Sequence, residues 1–274
     1  MTLTVEEGRS TSSIPHPAGV SIRLLQEAPE FQACVRLQRL IWGKEFRELV
    51  PASLLQVLRR TGGIVAGAWA QEEGDRAEMR LVGFLVGLPG WVDGAPVHWS
   101  DMLGVDPAFR GRGIGAALKW FQGKVLLARG VESVYWSFDP LEARNARLNL
   151  AHLGAQVVEF VPNMYGDSTS PLHQGLDTDR LVVRWDLKAA MDAGPREPRS
   201  RSRVRRVIGP SLRIPIPPDI QRLKGRNPAA AGKAQAEVRN AFLQAFEAGF
   251  QVTGFLPDIP AYTLAGAPPE DQGG

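Results

Sequence analysis

Apolar residues recur along this chain with two periods, and the switches between them divide it into elements. Alternating or continuous apolar runs predict strands over 20–25, 64–70, 81–88, 97–105, 131–138, 155–161 and 180–187. Spacings of three and four predict helices over 29–42 (Phe31, Val35, Leu37, Leu40, Ile41), 51–58, 113–129 (Ile114, Leu118, Phe121, Val125, Leu126) and 141–153. Pro51 opens the second helix, Gly62-Gly63 ends it, and Gly154 closes the fourth. The charged stretch 71–80 joins two strands into a hairpin, and Pro89-Gly90 reads as the end of the second, with a loop over 91–96. The order β-α-α-β-β-β-α-β-α-β-β predicts an α/β layer with a mixed sheet over 20–187. Residues 1–19, rich in Ser, Thr, Pro and Gly, read as a disordered lead-in. Residues 188–207 read as a basic linker, and 208–274 as a small α+β module with strands at 211–216, 251–255 and 262–265 and a helix at 230–248.

Composition narrows this picture. With 274 residues, 44% hydrophobic and 22% charged, the chain has ample material for a packed core. No window approaches 18 uninterrupted apolar residues, and the N-terminus lacks a basic segment followed by an apolar one. The expectation is a cytoplasmic protein with no membrane partner. The single Cys34 excludes an internal disulfide and, standing among Phe31, Val35 and Leu37, reads as a packing thiol. The net charge of +3 is uneven: six arginines and one glutamate between 196 and 206 leave the rest of the chain slightly acidic. No aromatic is interleaved in that run, so a solvated linker is favoured over a nucleic-acid patch. His152 and His173 lack metal-ligand spacing, and no metal site is expected.

Chemistry concentrates in Val105-Asp-Pro-Ala-Phe-Arg-Gly-Arg-Gly-Ile-Gly115, which follows a predicted strand and opens a predicted helix. Glycines at 111, 113 and 115 let the backbone turn tightly and approach a ligand, while the helix behind aims unsatisfied N–H groups and a positive dipole end at it. Arg110 and Arg112 add charged donors, so the natural guest is a diphosphate. Gly113-Ile-Gly115 is followed by Ala116-Ala117-Leu118, which does not complete a dinucleotide G-x-G-x-x-G turn, and Lys119 comes too late for a P-loop.

The pattern Arg110-x-x-Gly113-x-Gly115 resembles the [QR]-x-x-G-x-[GA] signature of the GNAT N-acyltransferase superfamily, and the elements on both sides follow that superfamily's order. The resemblance implies a mixed, mostly antiparallel central sheet flanked by helices. It implies an enzyme that moves an acyl group, acetyl or succinyl, from acyl-CoA as co-substrate to an amine of a small molecule such as an amino acid. The turn Arg110, Gly111, Arg112, Gly113, Ile114 and Gly115 would then bind the pyrophosphate. The backbone of Leu103, Gly104 and Val105 would pair with pantetheine, Gly104 permitting a bulge that aims an N–H at the thioester carbonyl. Asn145 matches an asparagine placed along the pantetheine arm.

Many members carry a Tyr four residues before the glycine that closes the next helix, as proton donor to the thiolate; here that position is Leu150. Tyr165, in the following loop, is the candidate substitute. Asp101 is the candidate base; His98, on the opposite face of the strand by alternation, reads as structural. The polar loop 165–179 reads as a connector or a cover for substrate, and Arg180 or Arg184 as a partner for a carboxylate on acceptor or acyl group. The competing reading of Leu150 is a CoA-binding module without turnover. The C-terminal module is free to cover the acceptor site, to pair with a second copy in a homodimer, or to complete the sheet.

Overall fold

A computed structural model describes residues 17–71, 79–168, 170, 173–195 and 210–266. The arginine run 196–206 and most of the lead-in lie outside them.

The first strand and two helices are β1 (Val20–Leu24), α1 (Ala28–Trp42) and α2 (Ala52–Arg60). Then come β2 (Ile64–Gln71), β3 (Met79–Val92), β4 (Ala95–Val105), α3 (Ile114–Leu127), β5 (Ser133–Phe138) and α4 (Ala143–Ala146). A π turn, Arg147–His152, continues α4 into β6 (Gln156–Val161) and β7 (Arg180–Asp186). These seven strands form one sheet in the order β1-β2-β3-β4-β5-β7-β6. Every neighbouring pair is antiparallel except β4–β5. Helices α1 and α2 bury Phe31, Leu37 and Leu55 with Val65, Phe84 and Val86 on one face. On the other, α3 and the π turn bury Ile114, Leu118 and Leu150 with Ala66, Leu85, Val134 and Trp185. Covered on both faces, the central strands need near-continuous apolar sequence, as in Ile64-Val-Ala-Gly-Ala68. The expected mixed, mostly antiparallel sheet flanked by helices is therefore present.

The hairpin before the glycine-rich turn departs from expectation. Pro89-Gly90 does not end β3, which pairs with β4 as far as Val92↔Ala95. The chain reverses at Asp93-Gly94, both with positive φ (50° and 76°), the two-residue turn that matches strand twist. Pro89 is tolerated because it removes only one ladder donor.

Beyond β7, Asp186 caps α5 (Leu187–Ala193) by accepting from the Ala189 amide at 2.9 Å, so the first residues of the segment read as linker are helical. The C-terminal module comprises β8 (Ser211–Pro215), α6 (Ile220–Arg226), α7 (Pro228–Glu247), β9 (Gln251–Leu256) and β10 (Ala261–Ala265), with strands in the order β8-β10-β9. It shares the core of the large sheet. Phe160 of β6 stacks on Phe242 of α7 at 5.2 Å, and Phe242 meets Tyr262 edge-on at 5.1 Å. The buried Tyr262 hydroxyl donates to the Pro140 carbonyl at 2.7 Å.

A second seam is polar. Arg239 of α7 donates to both oxygens of Asp179 (2.9 and 2.7 Å) and to Asp177 (2.6 Å). Asp179 in turn accepts from the Asn163 amide at 3.0 Å. The Asn163 side chain accepts from the Thr178 amide, and Thr178 Oγ1 accepts from the Tyr165 amide at 2.9 Å. The loop carrying Tyr165 is thus clamped by a residue 60 positions further along the chain. In Arg239→Ala, Asp179, whose side chain is 2% exposed, loses its counter-charge. Breaking a fully buried pair costs about 3–5 kcal/mol, and the one-quarter exposure of Arg239 lowers this to about 1–3 kcal/mol. The expected result is a melting midpoint lower by roughly 3–10 °C, with faster amide exchange at 163–166. An unchanged midpoint and unchanged exchange would show that the clamp holds nothing.

Candidate active site

Strands β4 and β5 pair at only two positions, His98↔Val134 and Trp99↔Tyr135. Past these the parallel strands continue unpaired, leaving a gap between Ser100–Val105 on one wall and Trp136–Phe138 on the other. Backbone groups on both walls are thereby left for a ligand to satisfy.

Asp106 fixes the mouth of this gap. Only 4% exposed, it donates its amide to Val82 O (2.8 Å) and accepts from Ala108 N (2.9 Å) and Arg80 Nη1 (2.8 Å). The short 3-10 turn Pro107–Phe109 that follows is thereby anchored to β3, and the Arg112 guanidinium lies 4.8 Å over the Phe109 ring. Asp106 and Arg80 were not singled out in the sequence; an Asp-Pro pair ahead of a turn is the signal that marks the first of them.

Gly111 and Gly113 both adopt left-handed backbone (φ 78° and 80°), and Gly113 caps α3. A Cβ at either would meet nothing within 4 Å, so the space before them is open. Among the described residues, no backbone carbonyl accepts from the amides of 111–116, the first helical bond being Ala117 N to Gly113 O. Six donors, the positive end of α3 and the exposed Arg110 and Arg112 therefore gather at one turn, a fit for a diphosphate. Arg110 Nε also donates to Val105 O at 3.2 Å, tying the turn to the strand. The Ile114 side chain is buried in the core, so only its amide faces outward. Gly115 brings α3 against β4, its Cβ position lying 3.7 Å from Leu103 Cδ2.

The expected bulge is not at Gly104. Gly104 pairs regularly with Phe84, and a Cβ there would sit 2.6 Å from the Phe84 ring and 2.8 Å from Ile41 Cδ1; glycine is present for packing. The β3–β4 register instead slips between Val86↔Met102 and Gly87↔Ser100, which leaves Asp101 without a partner on β3. A bulge re-aims both side chain and amide. Asp101 is open to solvent, yet the dense protein around this recess desolvates its carboxyl and pushes its pKa above the usual carboxylate range.

Two residues beyond the last β4–β5 pair, Asp101 on β4 stands level with Ser137 on β5. Ser137 Oγ is 2.9 Å from the Tyr165 hydroxyl. The structure thus brings Asp101 and Tyr165 to the two walls of one gap. His98 faces α3 instead: 1% exposed, its Nδ1 lies 3.2 Å from Gln122 Nε2, and burial beside Lys119 pulls its pKa down to about 4. Leu150 is core, and the exposed Asn145 lies within α4. Arg184 lies 3.7 Å from Asp186, while Arg180 is held by His173 Nε2 (3.0 Å) and the Asp179 carbonyl and lies over the Tyr165 ring. Cys34 is buried and its thiol is pushed up to about 12, so it offers no nucleophile. Among the described residues, no three metal-ligating side chains converge and no helix is long and apolar enough to cross a membrane.

Residues 31–154 match the model of the acetyltransferase (GNAT) family. No curated protein matches the chain. Solved structures similar to it include NatC in a complex bound to Gag peptide and CoA, at 11% identity over 61% of this chain and 98% of that one, TM-score 0.49. Arabidopsis thaliana NAA60 with acetyl-CoA follows at 15% over 61% and 99%, TM-score 0.48. The ribosomal-protein-S18-alanine N-acetyltransferase of Escherichia coli follows at 15% over 61% and 94%, TM-score 0.46. The matched segment runs from within α1 through the π turn and includes the splayed strands and the glycine turn, so this part of the chain is similar to the GNAT acetyltransferase family.

Proposed function

We propose that this protein transfers an acyl group from CoA to an amine of a small molecule, such as an amino acid, by direct attack on the thioester. The observation that carries the reading is the row of unsatisfied amides at 111–116, set at the mouth of the β4–β5 gap with open space before Gly111 and Gly113. Pyrophosphate there directs pantetheine along Leu103–Val105, whose edge is unpaired on the β5 side.

The thioester then lies near the bulge. Asp101 accepts the proton that the attacking amine must lose, directly or through a water. The Tyr165 hydroxyl, oriented by Ser137, supplies a proton to the departing thiolate, a role for which Leu150 has no group. The ladder break at Asp101 frees a backbone donor for the developing oxyanion. We read the compartment as the cytoplasm.

The test is calorimetry with CoA followed by acetyl-CoA turnover against a panel of amines, read as free thiol. Saturable binding with amine-dependent thiol release is expected, and absence of CoA binding would overturn the proposal. A second reading, CoA binding without turnover, draws on the burial of Leu150 and predicts binding with no thiol release.

A further inference from the structure

At the apex of the gap, on the face covered by α3, lies a group of polar side chains that the proposed chemistry does not use. Lys119 of α3 is 2% exposed and Ser100 of β4 is 5% exposed, while His98 and Gln122 are buried as deeply. Lys119 Nζ sits 3.6 Å from the centroid of the Trp136 ring, the first residue of β5 beyond the paired stretch; Ser100 is the first such residue of β4. Gln122 Nε2 donates to His98 Nδ1, which assigns the ring proton to Nε2.

Two polar atoms of this group lack a partner. His98 Nε2 and Ser100 Oγ are buried without a hydrogen-bond partner, and no acidic side chain among the described residues pairs with Lys119. One acceptor beside those two atoms, Gln122 Oε1, is also unpartnered. Buried polar groups are normally satisfied, and a buried ammonium is normally paired. Burial alone pulls the pKa of Lys119 well below the usual lysine value, and an anion beside it would restore the charged form.

The position of the group says where the anion comes from. Pantetheine running along Leu103–Val105 toward the bulge at Asp101 brings the thioester to Asp101, and the next residue up β4, on the α3 side, is Ser100. An acyl chain extends from the thioester into the apex. We propose that Lys119, His98 and Ser100 form the end of the acyl pocket and bind the terminal carboxylate of a dicarboxylic acyl group carried on CoA. This inference rests on the acyl-CoA reading above, and it assigns the acyl group rather than the acceptor.

The test compares butyryl-CoA and succinyl-CoA, which match in chain length and differ in the terminal carboxylate, by calorimetry on the full chain. CoA alone is titrated first; absence of CoA binding overturns the acyl-CoA reading and this inference with it. With CoA binding present, succinyl-CoA is expected to bind at least tenfold more tightly than butyryl-CoA. In Lys119→Met, which removes the ammonium and keeps an unbranched apolar side chain beside Trp136, that ratio is expected to fall at least tenfold. Ser100→Ala, a smaller change, is expected to lower it severalfold and carries the test if the lysine variant fails to fold. Equal affinities for the two thioesters, or a ratio untouched by the substitution, would overturn the inference while leaving CoA binding intact. Free succinate added to the CoA complex is expected to give no saturable heat. Saturation by free succinate with no gain for succinyl-CoA would make the cluster a site for small carboxylates and also overturn the inference.

Discussion

Gly113→Val should weaken CoA binding by between about 10- and 100-fold while leaving the fold in place. Two effects act together. A β-branched residue in left-handed backbone carries strain of about 1–3 kcal/mol, and the turn relieves it by rotating the amides of 113–115 away from their common target. The new side chain also projects into the space that is open before Gly113. Losing one charge-assisted hydrogen bond, about 1.5–3 kcal/mol, corresponds to the affinity change stated. Because nothing in the protein packs against that position, the melting midpoint should fall by only a few degrees. Calorimetry on wild type and variant decides: an affinity within threefold of wild type would remove the turn from the binding site.

Asp101→Asn should lower turnover by about 10²- to 10⁴-fold, the range for losing a positioned proton acceptor, with little change in CoA affinity. The pH profile gives an independent check. A base works deprotonated, so the rate rises with pH through its pKa and then levels. Desolvation raises that pKa, so the acidic limb should lie above the ordinary carboxylate range, and the asparagine variant should lose the limb. The stability effect has the opposite sign. A carboxyl whose folded pKa is raised favours folding while protonated and loses that contribution as pH rises through the folded value. At neutral pH the neutral amide should therefore leave stability unchanged or higher. Lost turnover with a retained midpoint would place Asp101 in the chemistry, and a retained limb in the variant would exclude it.

The sheet was legible because strands covered on both faces are apolar throughout, and α3 because its stripe recurs at helical spacing. The turn 110–115 was legible because left-handed backbone and close approach to phosphate leave few residues besides glycine. Gly104 shows the limit of that reasoning. Glycine reports a need for missing volume or for unusual backbone, and the sequence does not say which; here the Phe84 ring and Ile41 supply the reason. The bulge at Asp101 left no mark in the sequence because it is a property of two strands in register. Pro89-Gly90 suggested a stop that Asp93-Gly94 supplies three residues later. Lys119 reads as an ordinary helix polar residue until Trp136 and His98 are brought around it. The Arg239 clamp and α6 were out of reach for the same reason: what fixes them lies on distant elements.

The bond from Tyr262 to Pro140 spans 122 residues. During synthesis the large sheet emerges first, but Phe160 and the loop held by Arg239 stay without their covering until α7 leaves the ribosome. A message cut short after β7 would specify every residue proposed here for cofactor and catalysis, yet yield a chain with an exposed aromatic surface and an untethered Tyr165. Helix α7 therefore serves two ends at once, sealing the aromatic face of β6 and tethering the loop that carries Tyr165.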